Sequence, residues 1–471
     1  MEAFKIVFGD NNTEIQKRSI EKLSKTIHDA IGVYPPCEKY SDKTTSEENC
    51  INIYLGTKAN NAYILKNSKS SLTIPESYYI KVDLTAVIIE GYDDAGALYG
   101  VIDFYNKYMV KYNYYGPDET AKNFLTTRQK MAEFEYLSAP SIKERGLWTW
   151  GHVIYDYKGY LDNMMQLKFN SVIIWNDYVP LNAKEIVEYA HARNIKVIWG
   201  FSWLWDTSCK ILDMVNTKEK SQESQEIFEK YEREYAGLNA DGIYFQTFTE
   251  LKEETANGVL IADAATKFVN ETARLFFSKY PNLRLQFGLH ATSVKNRLEF
   301  IKNVDNRIEI IWEDCGSMPY SYYPQNVSNF EETKRFTEDI ALLRGENDKF
   351  GVVTKGLTYL NWQTFKHQVG SQIIGESDKN FIIDRYNKKI PFLKYIQAYW
   401  ITSADNVYEI IKTIKDKKRG NASVYALVED GIFDANIYYP VALYSEMLWD
   451  ANSDIKTLQN QVALRDYVKF V

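Results

Sequence analysis

Acidic residues and tryptophans recur together through the last two thirds of this chain of 471 residues, which contains ten tryptophans and is 15% aromatic. Eight of the tryptophans stand at or near the ends of short apolar runs, and acidic residues accompany several of them. Flat rings with a polar tip can stack on sugars or pad a large core. Two carboxyl groups can cleave a glycosidic bond, one as the acid and one as the base or nucleophile. The combination predicts carbohydrate chemistry. The alternative is that the aromatic residues only pack a Tyr-rich core.

Three acidic residues are candidates for the catalytic carboxyl groups. Glu250 ends an apolar run, and the period-two alternation of a strand puts Gln246 on the same side of it. Glu250 is therefore the predicted general acid. Glu313 and Asp314 are adjacent, so in a strand their side chains face opposite sides. If Trp312 faces the interior, Asp314 does as well, which favours Asp314 as the base or nucleophile. The alternative for each acid is a structural role, in a solvated loop or as the cap of the following turn.

The remaining candidates would bind the sugar. Tryptophans would form stacking walls, whereas histidine, amide and acidic side chains would bind hydroxyl groups. These candidates are Trp148, His152, Trp175, Asn176, Asp177, Trp203, Trp205, Asp206, Gln246, His290, Trp312, Tyr320, Asn361, Trp362, Gln363 and Asp430. The alternative for His152 and His290 is a structural role, and Asp177 and Asp206 could hold their loops through bonds to the backbone.

No metal or cofactor is expected. The five histidines are far apart in the sequence, and the four cysteines form no C-x-x-C or Cys/His pattern. No Gly-rich nucleotide-binding or phosphate-binding motif follows an apolar run. The predicted chemistry therefore rests on side chains alone.

The candidates can meet only if the elements that carry them end at one place. From Ile142 onward, β-branched or aromatic runs alternate with amphipathic helices, which predicts a (β/α)8 TIM barrel over residues 140–471. The strands are predicted at 145–150, 171–177, 196–201, 242–247, 283–288, 308–312, 351–360 and 423–428. In this fold catalytic side chains lie where strands run into the following loops. A doubly wound α/β sheet is the alternative, but its Gly-rich motif is missing.

A smaller domain precedes the predicted barrel. Residues 1–130 alternate strand and helix signals, which predicts a small α+β domain. Its strands are expected at 4–8, 51–55, 79–82 and 86–90, and its helices at 12–31 and 95–108. In the barrel, the longest helix is expected at 379–418, with a break near Pro391.

Charge and cysteine content limit the partners and the location. With 56 basic and 63 acidic residues the formal charge is -7, so neither nucleic acid nor a membrane is an expected partner. The expected partner is a glycoside or oligosaccharide substrate, and the sequence leaves the oligomeric state open. Widely spaced cysteines fit a reducing compartment, so the expected location is cytoplasmic, or secreted if a signal peptide has been removed.

Three segments resemble known glycoside hydrolases. Asp241–Glu250 resembles the fourth strand of family 67, the α-glucuronidases, which ends in the general-acid glutamate. Asp434–Tyr439, with a Leu-Trp pair further on, resembles the eighth loop and helix of that family. Gly96–Val101 is similar to a helix of the small domain that precedes the barrel in families 67 and 20, the latter being β-N-acetylhexosaminidases. The resemblance implies a distant superfamily relationship and an acid role for Glu250.

Two positions depart from the family patterns. Thr358 stands where family 67 carries a base glutamate, and Thr249 stands where family 20 carries an aspartate before the acid. We predict an exo-acting glycoside hydrolase that removes a terminal sugar, and the two threonines support the alternative of a catalytically inactive carbohydrate-binding barrel. Near the strand ends the basic residues are Arg145 and Lys355. The sequence therefore does not decide between a uronic acid and a neutral or N-acetylated sugar.

Overall fold

Two separately packed units make up the structure, which is a computed structural model. One unit comprises Met1–Pro140 with Ala192–Asn194, and the other comprises Ser141–His191 with Ile195–Val471. The structure describes residues 4–10, 13–41, 43–44, 50–83, 86–109, 133–204, 217–247, 253–256, 258–291, 294–313, 329–358, 369–428 and 433–471.

The first unit is a six-stranded mixed sheet with helices. Its strands are β1 (Phe4–Phe8), β2 (Cys37–Lys39), β3 (Ile51–Thr57), β4 (Tyr78–Val82), β5 (Ala86–Gly91) and β6 (Phe134–Ser138). Its helices are α1 (Glu14–Ile31), α2 (Ala62–Asn67) and α3 (Asp94–Phe104). The strand order is β2-β1-β3-β5-β4-β6, and β4 runs antiparallel to both neighbours. The small domain expected from the sequence is present, and β2, α2 and β6 are elements that its pattern did not predict.

The second unit contains a closed barrel of eight parallel strands. The strands of this unit are β7 (Glu144–Trp150), β8 (Ser171–Trp175), β9 (Lys196–Ser202), β10 (Gly242–Gln246), β11 (Thr255–Ala256), β12 (Val259–Leu260), β13 (Leu285–His290), β14 (Glu309–Glu313), β15 (Phe350–Thr354), β16 (Ser423–Leu427), β17 (Ile437–Tyr438) and β18 (Val468–Lys469). The barrel order is β10-β13-β14-β15-β16-β7-β8-β9, and the four short strands pair as β11-β12 and β17-β18. The predicted (β/α)8 barrel is therefore confirmed.

Helices surround these strands. They are α4 (Tyr157–Gln166), α5 (Ala183–His191), α6 (Thr217–Glu234), α7 (Ile261–Lys279), α8 (Leu298–Ile301), α9 (Phe330–Leu342), α10 (Lys379–Lys418), α11 (Tyr439–Trp449) and α12 (Ile455–Ala463). Side-chain caps fix where some of them begin. Asp156 accepts backbone N–H groups in the first turn of α4, and Asn329 does the same at α9.

The break in α10 lies at Ser403 and not at Pro391, where the sequence predicted it. The helix runs through Pro391, whereas Ser403 has the non-helical angles φ -133° and ψ 15°. Next to the break, the Thr402 hydroxyl donates to the Ala398 carbonyl oxygen at 3.0 Å. A hydroxyl that bonds back to the preceding turn favours bending of a helix, which accounts for a kink at this position.

Side chains on the barrel strands alternate between the interior and the helix layer. The buried cluster inside the barrel comprises Trp148, Trp150, Val153, Ile173, Trp175, Ile198, Tyr244, Ile311, Val353, Tyr425 and Leu427. Because Ile311 belongs to this cluster, Glu313 faces inward and Trp312 faces outward. The prediction from the sequence that Trp312 faces the interior was therefore wrong. Every residue of β14 is buried, so its sequence carries no polar alternation from which to read the phase.

Candidate active site

Four aromatic rings line the barrel interior towards the ends of β7, β8 and β10. The Trp148 and Trp150 ring centroids are 5.3 Å apart, and those of Trp150 and Trp175 are 5.4 Å apart, both edge to face. The Tyr244 ring completes the set, with its centroid 6.1 Å from that of Trp148 and 6.0 Å from that of Trp175. Edge-to-face packing of this kind holds the rings in place. We call these four rings the aromatic wall.

Glu313, at the end of β14, is the catalytic candidate whose surroundings the structure describes. The side chain is 4% exposed, and its carboxyl accepts a hydrogen bond from Gln246 Nε2. Gln246 Nε2 also donates to the Tyr244 hydroxyl oxygen at 3.1 Å. Burial raises the pKa of Glu313 to about 8. At pH 7 the carboxyl is therefore mostly protonated and can donate a proton.

A glycine makes this arrangement possible. At Gly288, in the middle of β13, an added Cβ would lie 2.0 Å from the Tyr244 hydroxyl oxygen and 2.5 Å from Glu313 Oε1. The hydroxyl and the carboxyl group therefore occupy the space that any side chain at this position would take. A glycine within a strand often marks such a close approach.

His290 stands next to Glu313, and Lys355 is close enough to His290 to act on its charge. The strand register pairs His290 with Glu313. Burial lowers the pKa of His290, and the nearby charge of Lys355 lowers it further, so the imidazole is neutral at pH 7. Lys355 is 3% exposed and follows directly after β15, which ends at Thr354. The site thus combines a buried neutral carboxylic acid with a neutral imidazole.

The loop after β8 holds the Trp175 ring. Trp175 Nε1 donates to Asp177 Oδ1 at 3.1 Å, and Lys230 Nζ donates to the Asp177 carbonyl oxygen at 2.9 Å. The Asn176 side chain is buried, and its backbone N–H donates to the Gly200 carbonyl oxygen at 3.0 Å. These contacts show Asp177 supporting an aromatic ring of the wall. Whether Asn176 and Asp177 also contact a sugar stays a prediction.

Trp203 and Trp312 lie on the other side of the strands, away from the aromatic wall. Trp203 is fully buried, and its ring stacks on Phe245 with centroids 3.6 Å apart and on Phe276 of α7 at 5.3 Å. Trp312 is 1% exposed on the outward face of β14. The structure therefore brings Trp148, Trp175 and Gln246 together with Glu313 but does not bring these two tryptophans to them.

Several candidates fall outside the described residues, and their roles stay predictions. They are Glu250, Asp314, Trp205, Asp206, Tyr320, Asn361, Trp362, Gln363 and Asp430. The backbone of His152 forms a short 3-10 turn, Gly151–Val153, directly after β7. This position at a strand end agrees with the predicted placement but leaves its sugar-binding role untested.

Tyr244, Gly288 and Asp434 are residues of this region for which the sequence predicted no role. Tyr244 could have been found because it precedes Gln246 by two positions and so shares its face. Asp434 Oδ1 accepts the backbone N–H groups of Tyr155 and Asp156, both at 2.9 Å, and so joins the segment after β16 to the loop after β7. Burial raises the pKa of Asp434 to about 7. No periodic pattern marks such a loop contact.

Arg145, one of the two basic residues noted near strand ends, lies away from this site. Its guanidinium donates to the backbone carbonyl oxygens of Ile142, Lys143 and Lys168. Within the described part of the chain, no group of three or more His, Cys, Asp or Glu side chains could hold a metal ion. Among the helices described there, none has both the length and the apolar character needed to span a bilayer.

Solved structures share this fold at low sequence identity. The chain is similar to a GH138 enzyme targeting pectin rhamnogalacturonan II, with 13% identity and a TM-score of 0.54 over 96% of this chain and 64% of that one. It is similar to CpGH84B with 12% identity and a TM-score of 0.55 over 98% of this chain and 70% of that one. No protein-family model and no curated protein matches the chain. These likenesses show a barrel fold that glycoside hydrolases use, and the resemblance to families 67 and 20 stays a prediction.

The chain spans less than two thirds of the GH138 enzyme, since it covers 64% of that protein. A chitobiase of Flavobacterium johnsoniae, FjGH20, is also similar, with 13% identity and a TM-score of 0.49 over 89% of this chain and 70% of that one.

Proposed function

We propose that this protein is a glycoside hydrolase that removes a terminal sugar from a glycoside or oligosaccharide. The observation that carries the proposal is the buried carboxyl group of Glu313 next to the aromatic wall, at the strand ends of a (β/α)8 barrel. In such barrels chemistry is located at this end. The fold likeness to a GH138 enzyme and to CpGH84B supports the same class of reaction.

Cleavage of a glycosidic bond needs one neutral and one ionised carboxyl group at the same pH. Glu313 suits the neutral role because burial raises its pKa to about 8. In this proposal Glu313 protonates the leaving oxygen, and Glu250 or Asp314 supplies the ionised carboxylate. This exchanges the roles that the sequence suggested, since Glu250 was the predicted acid. His290 and the rings of the aromatic wall would bind the terminal sugar.

Exo action is proposed because packed side chains fill the barrel interior that the aromatic wall lines. Ile173, Ile198 and Tyr425 belong to the same buried cluster as the tryptophans. A site that ends on packed side chains suits the end of a sugar chain better than a chain that passes through.

A panel of chromogenic monosaccharide glycosides tests the proposal with four proteins. We expect the wild type to hydrolyse at least one of them, and kcat to fall about 100-fold to 10,000-fold in Glu313→Gln. Glu250→Gln should lose activity to a similar degree if it is the ionised partner. Glu188→Gln, an exposed substitution on α5, is the control and should keep wild-type kinetics.

The pH dependence assigns the acid. If Glu313 is the donor, wild-type kcat/KM falls as pH rises through about 8, the pH at which that carboxyl loses its proton. If Glu250 is the donor, Glu313→Gln keeps the basic limb of the profile. A wild type that binds glycans in calorimetry but hydrolyses none of the panel would contradict the proposal and identify a binding protein.

A further inference from the structure

The opposite end of the barrel, where the strands begin, carries a basic depression of about 470 Å³. Five cationic side chains line it, those of Lys143, Lys196, Arg284, Arg307 and Lys349. A depression of this size is large enough for a small ligand. The concentration of positive charge is a local feature, because the chain as a whole has a formal charge of -7.

Two carboxylates at the floor of the depression are already neutralised by two of these cations. Arg284 Nη1 donates to Glu144 Oε1 at 2.6 Å, and Arg284 Nη2 donates to Glu309 Oε2 at 2.5 Å. Lys196 Nζ lies 3.0 Å from Glu144 Oε2. These four side chains balance one another, so the floor contributes little net charge.

The rim retains an excess of positive charge. Arg307 pairs with Asp305, with 2.6 Å between Nη2 and Oδ2. Lys143 Nζ donates to the amide oxygen of Asn421 at 3.2 Å, and Lys349 Nζ donates to the backbone carbonyl oxygen of Arg307 at 3.2 Å. Both acceptors are uncharged, so these bonds orient the two ammonium groups without neutralising them. Lys143 precedes β7 and Lys349 precedes β15, the two neighbours of β16 in the barrel, and both side chains line the same depression.

We propose that this depression binds the phosphate group of a small ligand, with Lys143 and Lys349 as the groups that attract it. A phosphate monoester carries between one and two negative charges at pH 7 and has oxygen atoms that accept several hydrogen bonds. Lysine binds phosphate as a point charge. Arg284 and Ser423 line the same space, but they already donate to the buried carboxylates, Ser423 Oγ to Glu309 Oε1 at 2.6 Å and Arg284 to Glu144 and Glu309. This site is separate from the proposed catalytic site and does not depend on it.

A phosphate titration at constant ionic strength, set with chloride, tests the site. The melting temperature of the full chain is followed as inorganic phosphate replaces chloride at pH 7.5. We expect a saturable rise, because a ligand that binds only the folded state stabilises it. In Lys143→Gln/Lys349→Gln the phosphate dissociation constant should increase by about tenfold or more, since two charge-assisted contacts are lost.

A matched double variant keeps the test specific. Lys184→Gln/Lys388→Gln removes two exposed lysines of the same unit, each of which pairs with an acidic residue of its own helix. It should bind phosphate as the wild type does. Methyl sulfate, a monoanion, should bind more weakly than phosphate. The proposal would be overturned by an equal loss of phosphate binding in both double variants. It would also be overturned by an equal rise in melting temperature with chloride in place of phosphate, or by tighter binding of methyl sulfate than of phosphate.

Discussion

Two buried glutamates at opposite ends of one barrel have opposite pKa shifts. Glu313 lies at the strand ends, and burial alone raises its pKa to about 8. Glu144 lies at the strand starts, where burial would also raise the pKa, but the charges of Arg284 and Lys196 and a hydrogen bond from Tyr425 hold it well below its usual range. Both side chains are less than a tenth exposed.

The difference shows what burial does when compensating charge is present and when it is not. At the strand starts, cations surround the carboxylate and keep it ionised. The Glu144 carboxylate therefore has a structural role at that end of the barrel. At the strand ends, the carboxyl group is buried next to the Gln246 amide, which also contacts the Tyr244 hydroxyl, and burial keeps it neutral. One barrel can therefore hold an inert glutamate and a proton donor.

The largest effect is expected from breaking the charged network at the strand starts. Arg284→Met leaves Glu144 and Glu309 buried without their main cation, and we expect the free energy of unfolding to fall by about 3–5 kcal/mol. Chemical denaturation at pH 7 measures it. A loss below about 1 kcal/mol would show that the two carboxylates do not depend on Arg284.

Glu313 should make stability depend on pH in the opposite sense to an ion-paired acid. Its pKa is about 8 in the folded protein and 4.5 in the unfolded reference, so the folded state holds an extra proton between these values. The free energy of unfolding then falls as pH rises from about 4.5 to about 8, by up to ~1.4 kcal/mol per pH unit. In Glu313→Gln the part of this fall that Glu313 causes should be absent, whereas the part that Asp434 causes remains. Chemical denaturation at pH 5 and pH 8 measures the free energy of unfolding of the two proteins. Asp434 is present in both, so its contribution cancels in the difference between them.

Gly288→Ala should damage the same end of the barrel. Its Cβ would lie 2.0 Å from the Tyr244 hydroxyl oxygen, so the ring or the Glu313 carboxyl must move, at a cost of about 1–3 kcal/mol. Gly237→Ala is the control, because an added Cβ there meets no atom within 4 Å. Equal stability of the two variants would mean that Gly288 is not needed for the close approach.

The smallest effect is expected from Lys196→Met at the edge of the charged network. The Lys196 side chain is 46% exposed, and Arg284 would still hold Glu144. We expect a loss below about 1 kcal/mol, measured by the same denaturation. A loss as large as that of Arg284→Met would assign the low pKa of Glu144 chiefly to Lys196.

The barrel could be predicted from the sequence because apolar runs and amphipathic helices differ in period along the whole second unit. The sequence could not predict which side chains of β14 face the barrel interior, because the strand is buried on both sides. Trp312 was as suitable for the interior as Glu313. Trp203 shows the same limit, since a tryptophan near a strand end can stack on a helix as well as on a sugar. The break at Ser403 depends on a local hydroxyl contact, whereas the sequence argument used the general effect of proline.

The proposed role of Glu313 as proton donor depends on its protonation state, which can be measured. Infrared difference spectra between the wild type and Glu313→Gln, recorded from pH 5 to pH 10, isolate the carbonyl band of this one carboxylic acid. We predict that the band is present at pH 6 and disappears with a midpoint near pH 8. A Glu313 that is already ionised at pH 6 would contradict the account, because the described part of the site would then lack its proton donor.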